Sequence, residues 1–389
     1  MSNIQETDKK YVLNTYARFP VEIVSGKGSV AVDSNGKEYI DMGTGIGVTA
    51  FGYADDEWQA AVCAQLGKVQ HTSNLYYTEP CAELAKILCE RTGMKKVFFG
   101  NSGAEANECA IKAARKYGEM KHGKDCYTIV TLRNSFHGRT LTTLAATGQE
   151  HYHELFQPLT PGFCHIEVGN IFELNALAAR TKIAAVMIEC IQGEGGVMPL
   201  EKEFVSALEE FTTKHDILLI VDEVQTGNGR TGELYAYMNY GIKPDIVTTA
   251  KGLGGGLPIG AAIMSEKLDG ILGFGEHGST FGGNPVCCAG AISVINRIDD
   301  KLLAAVKAKS EYVMNELKGA PGVASVSGMG FMIGILPEEK NASDIVKRCI
   351  EEGVLCLTAK NKVRLLPALN IPMDTLSKAV KIIKKVIAE

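Results

Sequence analysis

From residue 96 onward the chain carries a series of short apolar runs. KVFFG (96–100), YTIVTL (127–132), AAVMIE (184–189), ILLIVDE (217–223) and DIVTTA (245–250) are too short for helices and are apolar at nearly every position. This predicts strands buried on both faces. Between them, apolar residues recur at helical spacing: Ala106, Cys109, Ala110, Ala113, Ala114 and Tyr117, then Phe204, Leu208 and Phe211. Alternation of such strands and helices predicts an α/β unit around a parallel or mostly parallel sheet.

The pattern differs at both ends. Residues 21–41 read as short strands separated by Gly, Asn and Asp. After about residue 290 come a helix over 299–318, a second over 343–352 closed by Gly353, and a strand pair at 354–358 and 362–366. A terminal helix follows, with Leu376, Val380, Ile383 and Ile387 on one face. We expect residues 51–290 to form a large domain and 291–389 a small α+β domain, to which 1–50 contribute.

A chain of 389 residues is long enough for more than one packed unit. Its net charge of -5 gives no reason to expect nucleic acid or an anionic membrane as a partner. The 11 cysteines contain no C-x-x-C, which points to reduced thiols and a cytoplasmic setting rather than a disulfide framework or a zinc site. The first residues are polar and contain acids, unlike a signal or transit peptide. No apolar run approaches a membrane span.

Several stretches can carry chemistry. ILLIVDE brings Asp222 and Glu223 to a strand end, where a carboxylate either meets solvent or faces a cationic ligand group. DIVTTA leads into Lys251 and the run GLGGG. That lysine is either an exposed loop residue or a half-buried amine made nucleophilic by desolvation. The glycines lack the spacing of a dinucleotide fingerprint. Asn101, Ser102 and Gly103 precede a helix, giving a capped start or a phosphate site. SFHGRT offers Phe136 for stacking and Arg139 for a carboxylate, with core packing and surface pairing as the other readings. HGSTFGGNP (277–285) is a plain loop or a donor-rich anion loop. Together they offer what pyridoxal phosphate needs: an amine, an acid, an aromatic face and anion donors.

In this order the motifs resemble those of the class III pyridoxal-phosphate aminotransferases, and within them the branch acting on acetylornithine. They are GKEYIDMGTGIGV, NSGAEANECAIKAAR, SFHGRT, ECIQGEGGV, VDEVQTGNGRTG, TTAKGLGGGLPIGA and HGSTFGGNP, and they run essentially end to end. The resemblance implies fold type I, with a mainly parallel seven-stranded sheet, a small α+β domain, and a homodimer whose sites lie at the interface. It implies that Lys251 holds the cofactor aldehyde and Asp222 the ring nitrogen. Phe136 stacks on the ring, Val224 and Gln225 lie beside it, and Gly103, Ala104 and Thr280 bind the phosphate, Thr280 from the partner subunit. Arg139 and Ser279 are implied to contact substrate, and Arg364 to bind a second carboxylate, with Glu194 able to pair with it. No metal is implied. The implied reaction moves the δ-amino group of N2-acetylornithine to 2-oxoglutarate, in arginine biosynthesis. Ornithine, succinylornithine, N-succinyl-diaminopimelate and 4-aminobutyrate are the alternative donors. Cys190 and Phe274 depart from the family pattern, which usually has proline at both.

Overall fold

A computed structural model describes residues 3–389. Seven strands form the large sheet: β1 (Lys96–Gly100), β2 (Thr128–Leu132), β3 (Phe163–Ile166), β4 (Ile183–Ile188), β5 (Leu218–Asp222), β6 (Ile246–Thr249) and β7 (Gly260–Met264), in the order β1-β7-β6-β5-β4-β2-β3. All neighbours run parallel except β7, which is antiparallel to both β6 and β1. The five runs read as strands fall on β1, β2, β4, β5 and β6.

Every residue of β2, β4, β5, β6 and β7 is buried. This follows from coverage on both faces, which favours apolar side chains at all positions. Leu218 and Ile220 of β5 point into one layer, with Ala110, Ala113 and Ala114 of the helix Gly103–His122. Leu219 and Val221 point into the other, with Val205, Leu208 and Phe211 of the helix Lys202–His215. The alanine face lets the first helix lie close on the sheet. Its start is fixed by Ser102, whose side chain accepts from Glu105 N at 3.2 Å.

The strands Ile23–Lys27, Val30–Asp33 and Glu38–Asp41 form a smaller sheet completed by Val354–Leu355, parallel to Glu38–Asp41. A strand from early in the chain and one from late in it are therefore paired in one sheet. A second small sheet is wholly antiparallel and ordered Val323–Met329, Met332–Pro337, Lys362–Leu365, Leu357–Ala359. Its first hairpin was not anticipated from the sequence. The terminal helix Met373–Ala388 buries Leu376, Val380, Ile383 and Ile387, the face expected of it. Cys190 sits in the core, and its carbonyl accepts from Leu200 N and Tyr240 Oη, each at 3.0 Å. Phe274 is fully exposed.

Candidate active site

Four parallel strands deliver polar residues to one carboxyl edge, where ligands bind open α/β sheets. β2 leads into the loop 134–139, β4 into Glu189, β5 ends on Asp222, and β6 leads through Ala250 to Lys251. A cavity of about 460 Å³ opens among them, lined by Gly103, Ala104, Phe136, Asp222, Val224 and Lys251, with Arg139 and Gln225 also on its wall.

Asp222 is only 3% exposed, so its carboxylate needs partners. Oδ2 accepts from Asn107 Nδ2 at 2.8 Å and lies 2.8 Å from His137 Nδ1. Oδ1 accepts from Val224 N at 3.0 Å. His137 Nε2 and Asn107 Oδ1 are buried without a protein partner. Glu223, one residue on, turns away from the cavity and accepts from Thr226 Oγ1 at 2.5 Å and Tyr237 N at 2.8 Å. The strand end thus separates two acids, one for the cavity and one for the loop beneath it.

Lys251 has φ +45°, a left-handed conformation that costs energy for a side-chain-bearing residue. Asn228 holds the strand just before it, donating from Nδ2 to Thr249 Oγ1 at 3.0 Å and to Ala250 O at 3.2 Å. Burial pushes the Lys251 amine below the usual lysine range, against the pull of Glu194 and Asp222. The shift is toward the neutral form, the one that acts as a nucleophile.

The helix Gly103–His122 points its N-terminus at the cavity. A Cβ on Gly103 would meet Val224 Cγ1 at 2.6 Å, so glycine lets the helix start and Val224 share one wall. The first N–H groups of a helix have no intrahelical acceptor, and they lie at its positive dipole end. Lys251, Asp222, Phe136 and this helix start are the donor set that pyridoxal phosphate requires, and they face one cavity. Among the described residues no cluster of His, Cys, Asp and Glu could hold a metal.

Arg364 lies on the strand Lys362–Leu365 and is 3% exposed. Its Nη1 is 2.5 Å from Glu194 Oε1 and donates to Gln225 Oε1 at 3.1 Å. Gln225 Nε2 donates to Glu194 Oε1 at 3.3 Å. Burial alone would raise the Glu194 carboxyl, but Arg364, with Lys251 and Gln225, outweighs it and holds the group below its usual range. Arg139 is exposed instead. Its guanidinium centre lies 4.4 Å from the Tyr152 ring centroid and 5.5 Å from that of Phe136.

Two expected residues lie elsewhere in the single chain. Thr280 lines a separate cavity of about 310 Å³ with His71, Asn74 and Asn284. Ser279 Oγ accepts from Asn101 Nδ2 at 3.0 Å, beside the helix start rather than in the cavity wall. Sequence reasoning missed Asn107, Glu189 and Tyr152 and gave His137 no role at the site. Asn107 was signalled by its place one helical turn after Gly103. Glu189 was signalled by the same strand-then-carboxylate pattern that marked Asp222.

A model of the class-III aminotransferases matches residues 11–387. The acetylornithine aminotransferase of Haemophilus ducreyi is 48% identical over 387 residues, covering 99% of this chain and 98% of that one. That of Caldanaerobacter subterraneus is 42% identical over 388 residues, covering 98% of each. Among solved structures, the ornithine aminotransferase of Toxoplasma gondii superposes with TM-score 0.94 at 30% identity, covering 99% of this chain and 94% of that one. The N-acetylornithine aminotransferase of Stenotrophomonas maltophilia superposes with TM-score 0.85 at 33% identity, covering 98% of each. With Lys251 and Asp222 facing one cavity and the similarity running the full length, the chain belongs to the class-III aminotransferases.

Proposed function

We propose that this aminotransferase moves the δ-amino group of N2-acetyl-L-ornithine to 2-oxoglutarate, giving N-acetyl-L-glutamate 5-semialdehyde and L-glutamate. Pyridoxal phosphate is the cofactor, and it supplies an aldehyde and a ring that accepts electrons from the carbon bearing the amine. In this reading Asp222 keeps a proton at the ring nitrogen, and Asn107 and His137 hold Asp222 in place. Phe136 and Val224 flank the ring, and Gln225 lies by its oxygen. The N–H groups of Gly103 and Ala104 bind the phosphate. Lys251 Nζ would hold the aldehyde end and would serve as general base and then general acid for the proton on the substrate carbon bearing the amine.

The observation that carries the substrate assignment is the pairing of Arg364 with Glu194, joined through Gln225 to a cavity whose wall already offers Arg139. N2-acetylornithine reacts at its δ-end, so its carboxylate is remote and suits Arg139. Glutamate and 2-oxoglutarate react at the α-carbon and need a second arginine close by. Glu194 masks Arg364 for the first substrate and releases it for the second. The acetylornithine aminotransferases among the relatives support the same donor, and with it a place in arginine biosynthesis. A panel of donors with 2-oxoglutarate tests this: acetylornithine should give the highest kcat/KM, and a clear preference for ornithine or 4-aminobutyrate would overturn the assignment.

The enzyme works in this reading as a homodimer. Leu75, Tyr76, Tyr77 and Phe281 are large and exposed near the cavity that holds Thr280. A second copy covering them would bring Ser279 and Thr280 to the neighbouring site. Sedimentation at micromolar concentration should show a dimer. The eleven cysteines are all free, and no helix among the described residues is long and apolar enough to cross a membrane, which supports a cytoplasmic setting. The division at about residues 50 and 290 is retained as part of this reading.

A further inference from the structure

Glu189 is 5% exposed and lines the cavity beside Asp222 and Lys251, yet the mechanism above gives it no task. A buried carboxyl without a role is costly to keep, so its partners are informative. Both of its hydrogen bonds come from backbone, and they come from different loops. Oε2 accepts from Phe136 N at 2.9 Å, in the loop after β2 that carries the stacking ring. Oε1 accepts from Gly193 N at 3.3 Å.

Gly193 immediately precedes Glu194. Its carbonyl accepts from Gly196 N and Val197 N, each at 3.3 Å, and so closes the turn that presents Glu194. A Cβ at Gly193 would meet Gln225 Oε1 at 2.4 Å. The N–H held by Glu189, the Glu194 carboxylate, Gln225 and Arg364 therefore form one packed unit. One carboxyl joins the wall that fixes the ring to the turn that masks the arginine.

We propose that Glu189 is a positioning residue that holds the 193–196 turn so that Glu194 stays on Arg364, and that it thereby sets the preference between the δ-amine donor and glutamate. This rests on the masking role given to Glu194 above. A glutamine at 189 keeps one acceptor oxygen. The shorter bond to Phe136 retains it, and the amide NH2 is turned against the Gly193 N–H. The turn loosens while the ring wall stays in place.

The test is a double-mutant cycle on the holoenzyme. Each half-reaction is followed in single turnover by the absorbance of the bound cofactor, with acetylornithine alone and with glutamate alone. Glu194→Ala should lower the kcat/KM ratio of acetylornithine to glutamate. Glu189→Gln should lower the same ratio about tenfold, the scale of one lost buried hydrogen bond, with the cofactor spectrum unchanged. In the Glu194→Ala background, Glu189→Gln should add little, because both act through one contact. Equal loss in both half-reactions, or the same drop in the Glu194→Ala background, would overturn the proposal. If Glu189→Gln does not retain cofactor, Glu189→Asp replaces it in the same cycle with the same outcomes required. If Glu194→Ala leaves the ratio unchanged, the masking role fails, and Glu189's role with it. If Glu194→Ala moves the ratio and the 189 variants do not, only the role of Glu189 fails.

Discussion

Arg364 and Arg139 carry the same charged group in opposite states, Arg139 on the cavity wall and Arg364 joined to that wall through Gln225. Arg364 is buried, paired with Glu194 at 2.5 Å and bonded to Gln225. Arg139 is exposed, and its contacts are the faces of Tyr152 and Phe136 and one long bond from Nη2 to Tyr152 Oη at 3.5 Å. A guanidinium over an aromatic face keeps its N–H groups available for a carboxylate. A guanidinium ion-paired inside the protein must lose that partner first. On the proposed function, the site would separate its two substrates by the accessibility of the arginines rather than by their number.

The most drastic way to break the comparison is to remove the group that both arginines serve. Lys251→Ala should lower the rate of both half-reactions by at least about 10³-fold, the scale of lost acid–base and nucleophilic catalysis. The bound cofactor should also lose the absorbance that marks its attachment. Single-turnover spectroscopy with each substrate reads both effects, and normal turnover would remove Lys251 from its role.

Next is the buried arginine. Arg364→Ala should raise KM for 2-oxoglutarate about 100-fold, as expected for a desolvated charge pair, and that for acetylornithine by less than about fivefold. Steady-state kinetics with each substrate varied in turn gives the split. Equal losses would mean that Arg364 shapes the cavity without choosing the substrate. Arg139→Ala should be milder and even-handed. Both substrates present a distal carboxylate there, and solvent screens the contact, so KM should rise about tenfold for both.

What could be read in advance follows the same division between local and remote causes. Asp222 and Lys251 were legible because each ends a run of apolar residues, and the strand direction then sends both to one edge. β7 (GAAIM) was not legible, since its Gly-Ala-Ala start leaves Ile263 as the one β-branched residue and it has no aromatic. Glu189 shared the pattern of Asp222 but was read only as the last letter of a strand. Its role depends on Phe136 N and Gly193 N, which reach it by folding. Nothing local in VRLLPAL marks Arg364; the resemblance alone identified it. The grouping of Arg364 with Glu194 joins positions 170 residues apart across two sheets. Thr280 lies outside the cavity of its own chain, so a single copy cannot reveal its use.

The smallest effect sharpens the comparison through pH. Glu194 is held below the usual carboxylate range in the folded protein, its burial outweighed by Arg364 together with Lys251 and Gln225. A carboxyl whose folded pKa is depressed adds stability above its unfolded pKa of about 4.5, and that stability is lost as pH falls through the folded value. Lowering the pH below about 4.5 should therefore cost the native chain more than Glu194→Gln, by roughly 2 °C in Tm for a partly screened pair in a chain of this size. Arg139→Gln should retain the native pH dependence, because no internal carboxylate answers Arg139. Calorimetry across that pH window measures the difference. A parallel loss in Glu194→Gln would mean that the pair adds nothing to stability. Its cost would then be offset within the protein, leaving substrate selection as the reason a buried arginine and a half-buried acid face each other near Lys251.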